Sequence, residues 1–268
     1  MLINTVILVL RDLLPLAILL VWIMACINPS FISFKRVIAV LMISIIGGII
    51  FFELAPYFSE NFQGAGLELA FAALMLSSYF ALLYASVSSL HGGQHQLMTY
   101  IGLFIGLSCQ FIIKGTYFLI YFNGYINRST NEMSLLLGVL VAAGIGLSFS
   151  ILLFFLLRWL ANNHYRIYWQ ALWACFLAGL VAQMVHLLSQ VDLLSDSSAL
   201  WNSGWLIEDS SEYGHVFQAL IGYEATPSMS YLIIYLSAIA LFYLGKFIMG
   251  KYSFNKVADV SVGKVDNR

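Results

Sequence analysis

TVILVLRDLLPLAILLVWIMACI, residues 5–27, decides how the chain is read. It exceeds the ~20 residues a helix needs to cross a hydrocarbon core of about 30 Å. Arg11, Asp12 and Pro15 interrupt an otherwise apolar run. An ionisable side chain at bilayer depth costs roughly 2.5–3.5 kcal/mol on insertion scales, so it is kept where it meets a partner, a cavity or a substrate path. Adjacent helical residues do not share a face, so at least one of Arg11 and Asp12 is expected to find its counter-charge or water elsewhere. The bland alternative is a shallow pair in which Arg11 snorkels to the surface and Asp12 neutralises it. No small-residue cleavage site follows the segment, so it reads as a retained span rather than a signal peptide.

Composition extends this reading to the whole chain. Of 268 residues, 61% are hydrophobic and 9% charged, against about 25% charged in soluble domains. An integral membrane protein in the lipid bilayer is implied, and 15% aromatic residues suit belts at two interfaces. A formal net charge of -1 excludes the basic footprint of a nucleic-acid partner. Cys26, Cys109 and Cys175 each lie in an apolar span without metal-ligand spacing, so they read as packing residues.

Six further spans follow the first. Their approximate ranges are 37–54, closed by Pro56, then 66–90, 97–122, 134–160, 168–190 and 229–249. Gly47 and Gly48 permit close contact in the second, and Gly138, Gly144 and Gly146 mark a close-packed face in the fifth. Lys35/Arg36, Arg158/Arg166 and the C-terminal lysines fall on one side of a seven-span topology, and the acidic connections after spans two and six fall on the other. The positive-inside rule then places the N-terminus outside and the C-terminus in the cytoplasm. The expected architecture is an all-α, polytopic membrane helical bundle. Residues 1–250 form the seven-helix domain, which includes an exterior segment at 191–228, and 251–268 form a cytoplasmic tail. Within the exterior segment, VFQALIGY at 216–223 predicts a short interfacial or re-entrant helix ended by Gly222 and Pro227.

The polar positions at membrane depth are the candidates for chemistry. A dehydrated cation needs several oxygen or nitrogen donors from different helices, and Asp12, Glu53, Glu68, Gln110, Gln183 and His186 are available. Arg11 and Lys114 oppose a bound metal unless they are paired, and an Asp12–Lys114 or Asp12–Arg11–Glu68 network would be structural. Glu53 near the end of its span also reads as an interfacial charge. Glu68, in the opening turn of span three, also reads as an N-terminal helix charge. Gln110 and Gln183 also read as interhelical hydrogen bonds. His186 is the only histidine well inside a span, which argues against a bis-histidine haem. His215 with Glu212 has i, i+3 spacing for a metal, or belongs to a solvated loop.

LVLRDLLP at 8–15, GAGLELAFAALML at 64–76, FIIKGTYF at 111–118 and GHVFQALIGYEATPSMSYLIIYL at 214–236 together resemble the oxidase-linked, high-affinity iron permease family of bacteria and fungi. The resemblance implies seven transmembrane helices, an outside N-terminus and an Arg-Glu-x-x-Glu motif on the first and fourth helices that binds and passes iron. Arg11 and Asp12 stand at the arginine and first glutamate of the first motif, and Pro15 at the second glutamate. Lys114, Gly115 and Phe118 occupy the corresponding positions of the second motif. One motif carboxylate of four is therefore present, as Asp12, and it lies between two cations, which leaves a positive local balance.

The leading expectation is permeation of iron or a related metal cation across a bacterial inner (plasma) membrane. Asp12, Glu68 and Glu53 would be the ligands, and the acidic exterior segment would collect cations. Iron would be cargo; no tightly bound cofactor is expected. The alternative is a non-transporting scaffold or assembly subunit that docks a periplasmic or electron-transfer partner at 191–228. A third reading, an anionic or organic substrate, uses Arg11 and Lys114 as the attractive charges. A homo-oligomer is compatible with each. No nucleophile–base pair or metal-hydrolase spacing points to an enzyme.

Overall fold

A computed structural model describes residues 2–26, 34–89, 96–126, 132–162, 166–194 and 198–263. Nine α-helices are seen among them: α1 (Leu2–Cys26), α2 (Phe34–Glu60), α3 (Gly66–Ser89), α4 (Gln96–Ile126), α5 (Glu132–Asn162), α6 (Arg166–Ala182), α7 (Met184–Gln190), α8 (Glu212–Ile221) and α9 (Met229–Gly263). Counting α6 with α7, seven stretches of the described residues are long and apolar enough to cross a membrane. The fold is an all-α polytopic bundle.

The apolar pattern of each helix sets its place. Leu14, Ile18, Leu19 and Trp22 of α1 are buried against Leu177 and Ala178 of α6, Leu82 of α3 and Leu157 of α5. Helices α1, α3, α4 and α6 form the inner group, with α1 along α5 and α4, α3 along α4, and α6 along α9. Helices α2, α5 and α9 turn large apolar side chains outward, such as Ile43 and Ile46, Leu147 and Leu152, and Leu244 and Phe247. Lipid is as apolar as these side chains, so the contacts between helices depend on close packing and polar bonds rather than on exclusion of water. Tyr79 Oη donates to the Ala238 carbonyl at 2.7 Å and Trp173 Nε1 to Ser86 Oγ at 2.7 Å, which ties α3 to α9 and to α6. The Ser44 and Ser108 hydroxyls meet at 3.0 Å between α2 and α4. Lys246 donates to Gln170 between α9 and α6.

Several expected boundaries move. Pro56 does not stop the second span: it lies inside α2, which runs another turn to Glu60. An interior proline lacks an N–H and crowds the carbonyl four residues back, yet the helix continues past it, and the chain turns instead at Asn61, whose N–H returns to the Phe58 carbonyl at 3.1 Å. Lys35 and Arg36 fall in the first turn of α2 rather than in a connection. The sixth span runs as expected, from Ile167 to Gln190, as α6 and α7 with Gln183 between them in right-handed helical conformation, φ -57° and ψ -21°. Helix α9 continues through the segment read as a tail, to Gly263. The connections at 27–33, 90–95 and 127–131, and the side chains of Cys26, Lys35 and Arg36, lie outside the described residues.

The short helix expected around 216–223 is α8. Its N-cap Ser211 accepts from the Gly214 N–H at 3.0 Å, which satisfies one of the donors a helix start leaves unpaired. Gly222 closes it in the left-handed conformation, φ 68°, where a residue without Cβ is favoured. The preceding segment folds back on the irregular 223–227 stretch. Ser203 N–H donates to the Ala225 carbonyl at 2.9 Å, and Asp209 Oδ1 accepts from the Ala225 N–H at 2.8 Å. Helix α8 packs on α6 and α1. At that crossing Gly222 meets Gly179 of α6: a Cβ on Gly179 would lie 2.6 Å from Gly222 Cα.

Candidate functional site

Four helical stretches converge beneath α8 around a cavity of about 290 Å³. On α1, α4, α7 and α8 the contributing side chains recur at helical spacing, so each of these presents one face. Helix α1 supplies Arg11, Asp12 and Pro15; α4 supplies Lys114, Tyr117 and Tyr121 at i, i+3 and i+7. The α6–α7 junction supplies Gln183, and α7 adds His186, Leu187 and Gln190. Helix α8 closes the group with His215, Gln218 and Ala219, and Met75 of α3 completes the wall.

Arg11 and Asp12 pair with each other, the neutralising arrangement given above as the bland alternative, while Arg11 also keeps part of its surface outside the pair. Arg11 Nε donates to Asp12 Oδ1 at 3.1 Å and Nη2 to Oδ2 at 3.4 Å. The side chains leave the helix in different directions, but the arginine stem is long enough to bring its planar fork round to the carboxylate. The exposures differ: 38% for the Arg11 side chain and 6% for Asp12. The arginine thus reaches out of the bundle while the carboxylate stays in. The guanidinium also lies 4.8 Å from the centre of the Tyr121 ring, within cation–π range.

Lys114 is buried. Its ammonium donates to Gln183 Oε1 at 2.9 Å, so this hydrogen bond goes to a neutral amide and not to Asp12 as one sequence reading had it. Gln183 stands at the junction of α6 and α7 with helical backbone angles, and its N–H still reaches the Gly179 carbonyl four residues back, at a long 3.4 Å. His186 Nε2 stands 3.4 Å from Glu224 Oε1, and its ring lies 5.7 Å from that of Tyr231.

The remaining candidates do not line the cavity. Gln110 is a packing bond: its Nε2 donates to Ser78 Oγ at 3.1 Å, which itself donates to the Gly106 carbonyl at 3.0 Å. Glu53 is exposed on α2, a helix that touches α3 and α4 from outside. Glu68 lies in the first turn of α3, and its Oε2 is buried with no hydrogen-bond partner among the described residues. No group of three or more His, Cys, Asp or Glu side chains among the described residues is placed to hold a metal ion.

His215 lies on helix α8 and lines the cavity, not a solvated loop. Its Nδ1 is buried without a partner among the described residues. Burial pushes the imidazole below its ordinary pKa and Arg11 adds to this, while Asp209 and Asp12 act the other way. The Glu212 side chain, its suggested companion, lies outside the described residues. Tyr117, Tyr121 and Gln218 were not singled out by sequence. Their spacing from Lys114 and from His215 was the available signal, but a tyrosine or glutamine in an apolar span carries no mark of the cavity it faces.

Comparison of the chain with protein-family models, curated proteins and solved structures gives no match.

Proposed function

We propose that this chain is a membrane permease whose solute site is the cavity between α1, α4, α6–α7 and α8. The observation that carries this reading is the buried Lys114 of the fourth apolar span, which meets Gln183 of the sixth at the cavity. In a bilayer, ionisable side chains are kept where they border a polar cavity or a partner, and they mark substrate and ion paths. Helix α8 rests on α6 through the Gly179–Gly222 crossing, which makes it a cover over the site.

Iron or a related metal cation is the second reading of the cargo. Its support is Glu68, whose unpartnered buried oxygen is an available ligand, together with the resemblance of RDLLP to half of an iron-permease motif. The scaffold alternative draws on 191–228, where Trp201, Trp205, Leu206 and Tyr213 are exposed.

Access to the cavity tests permeation. In a background with Cys26, Cys109 and Cys175 replaced by serine, Tyr117→Cys is reconstituted in vesicles of defined orientation. A membrane-impermeant maleimide is then applied to each face separately. A permease exposes this position to both faces in turn. Labelling confined to one face under all conditions would exclude alternating access and favour the scaffold. Ferrous iron uptake in wild type, lost in Glu68→Gln, would identify the metal reading; the same flux in both would remove Glu68 from it.

A further inference from the structure

Charge and shape together indicate what class of molecule the cavity takes, an inference that rests on reading it as a solute site. Arg11 and Asp12 cancel each other through two hydrogen bonds. Lys114 is buried and hydrogen-bonded to an uncharged amide. Asp12 is the sole carboxylate on the cavity wall among the described residues; Glu224 stands against His186, and His215 can add only positive charge. Counted formally, Arg11 and Lys114 against Asp12, the lining has one cation in excess. Met75 and Leu187 belong to an apolar cluster with Phe71 and Ile113, and both face the same cavity.

We infer that the cavity binds a small monocarboxylate, its carboxylate on the Lys114 ammonium and its short apolar body against Met75 and Leu187. One negative charge matches the one positive charge in excess. A phosphate group, at about -1.5 to -2 near neutral pH, exceeds it, and a metal cation would be repelled by Lys114. An ammonium has three donors; Gln183 takes one, which leaves two for carboxylate oxygens. Tyr117 and Tyr121 follow Lys114 on the same face of α4 and supply hydroxyl donors at the anionic end. A volume of about 290 Å³ equals roughly ten waters at about 30 Å³ each, room for an acid of a few carbons.

Radiolabelled propionate, bound at equilibrium to the purified full-length protein in mild detergent, tests this. Saturable binding is expected, displaced by unlabelled propionate and not by propionamide, propylammonium or inorganic phosphate. Lys114→Met should weaken binding roughly 10- to 100-fold, the range for losing a hydrogen bond to a charged group, and Lys114→Arg should largely retain it. Gln183→Glu serves if Lys114→Met fails to fold, because it keeps the acceptor in place and neutralises the ammonium. It should abolish binding while the protein still unfolds cooperatively. Displacement by propionamide as effective as by propionate, unchanged affinity in Gln183→Glu, or no saturable binding in wild type would each overturn the inference. Propionate binding with cavity access from one face only would keep the ligand and remove the permease. Access from both faces without propionate binding would do the reverse.

Discussion

Gly222→Ala is the substitution whose cost is most directly set by geometry. Gly222 sits at φ 68° and ψ 34°, and an alanine held there carries about 1 kcal/mol of backbone strain. Its Cβ would also press into Gly179 Cα and lie 3.0 Å from Tyr235 Cε2. The first of these is backbone inside a helix and has no rotamer by which to escape. Forcing α6 and the end of α8 apart belongs with overpacking, about 1–3 kcal/mol. The sum is about 2–4 kcal/mol, or roughly 5–15 °C in Tm at about 2–4 °C per kcal/mol for a chain of this size. Gly179→Ala should cost less, because it meets Gly222 Cα at 2.6 Å but recovers up to about 1 kcal/mol of helix propensity. In the double variant the separation is made once, so its cost should fall short of the two single costs combined. Thermal unfolding in one detergent, followed by intrinsic fluorescence, reads all three. Gly144→Ala, whose Cβ meets nothing within 4 Å, is the control. A Gly222→Ala protein that melts with that control would refute the close crossing, and with it the seating of α8 over the cavity.

Arg11→Gln should destabilise more than Asp12→Asn, because it strands the inner carboxylate; breaking a buried pair from one side costs about 3–5 kcal/mol, and the part exposure of Arg11 places this case at or below the lower end. The double variant Arg11→Gln with Asp12→Asn should regain much of the loss in the same melting assay. Tyr231→Phe and Tyr235→Phe each remove a hydroxyl that donates to the end of α8, to the Gly222 carbonyl at 2.8 Å and the Ile221 carbonyl at 2.6 Å. About 1 kcal/mol is expected for each, and Tm values equal to wild type would count against these bonds. His215 contributes a pH dependence of known sign: its folded pKa is depressed, first by burial and then by Arg11, against Asp209 and Asp12. Its contribution is therefore complete above the unfolded value near 6.5 and declines as pH falls through the folded value. One proton allows at most about 1.4 kcal/mol per pH unit, less for a partly exposed ring. His215→Gln should flatten the Tm profile between pH 7.5 and 5 relative to wild type, and an identical slope would remove His215 as its source.

Sequence by itself determined the membrane bundle. Hydropathy over about twenty residues is a local property that the bilayer reads directly, so seven apolar stretches were visible without any knowledge of neighbours. The short helix at 212–221 was legible for the same reason, through its apolar period and the glycine that ends it. Lys114 and Gln183 also stood out, as polar residues where burial is expensive. What they do depended on partners 69 residues apart in the chain, a distance no local pattern reports. Tertiary structure alone turned Arg11 onto Asp12, gave Lys114 a neutral partner and left Glu53 outside. It also seated α8 against α6 at the cavity through two glycines whose contact is fixed by the packing of α6. Charge in a span marks a place where something must compensate; only packing decides whether the compensation is a neighbour, an amide or a molecule from outside.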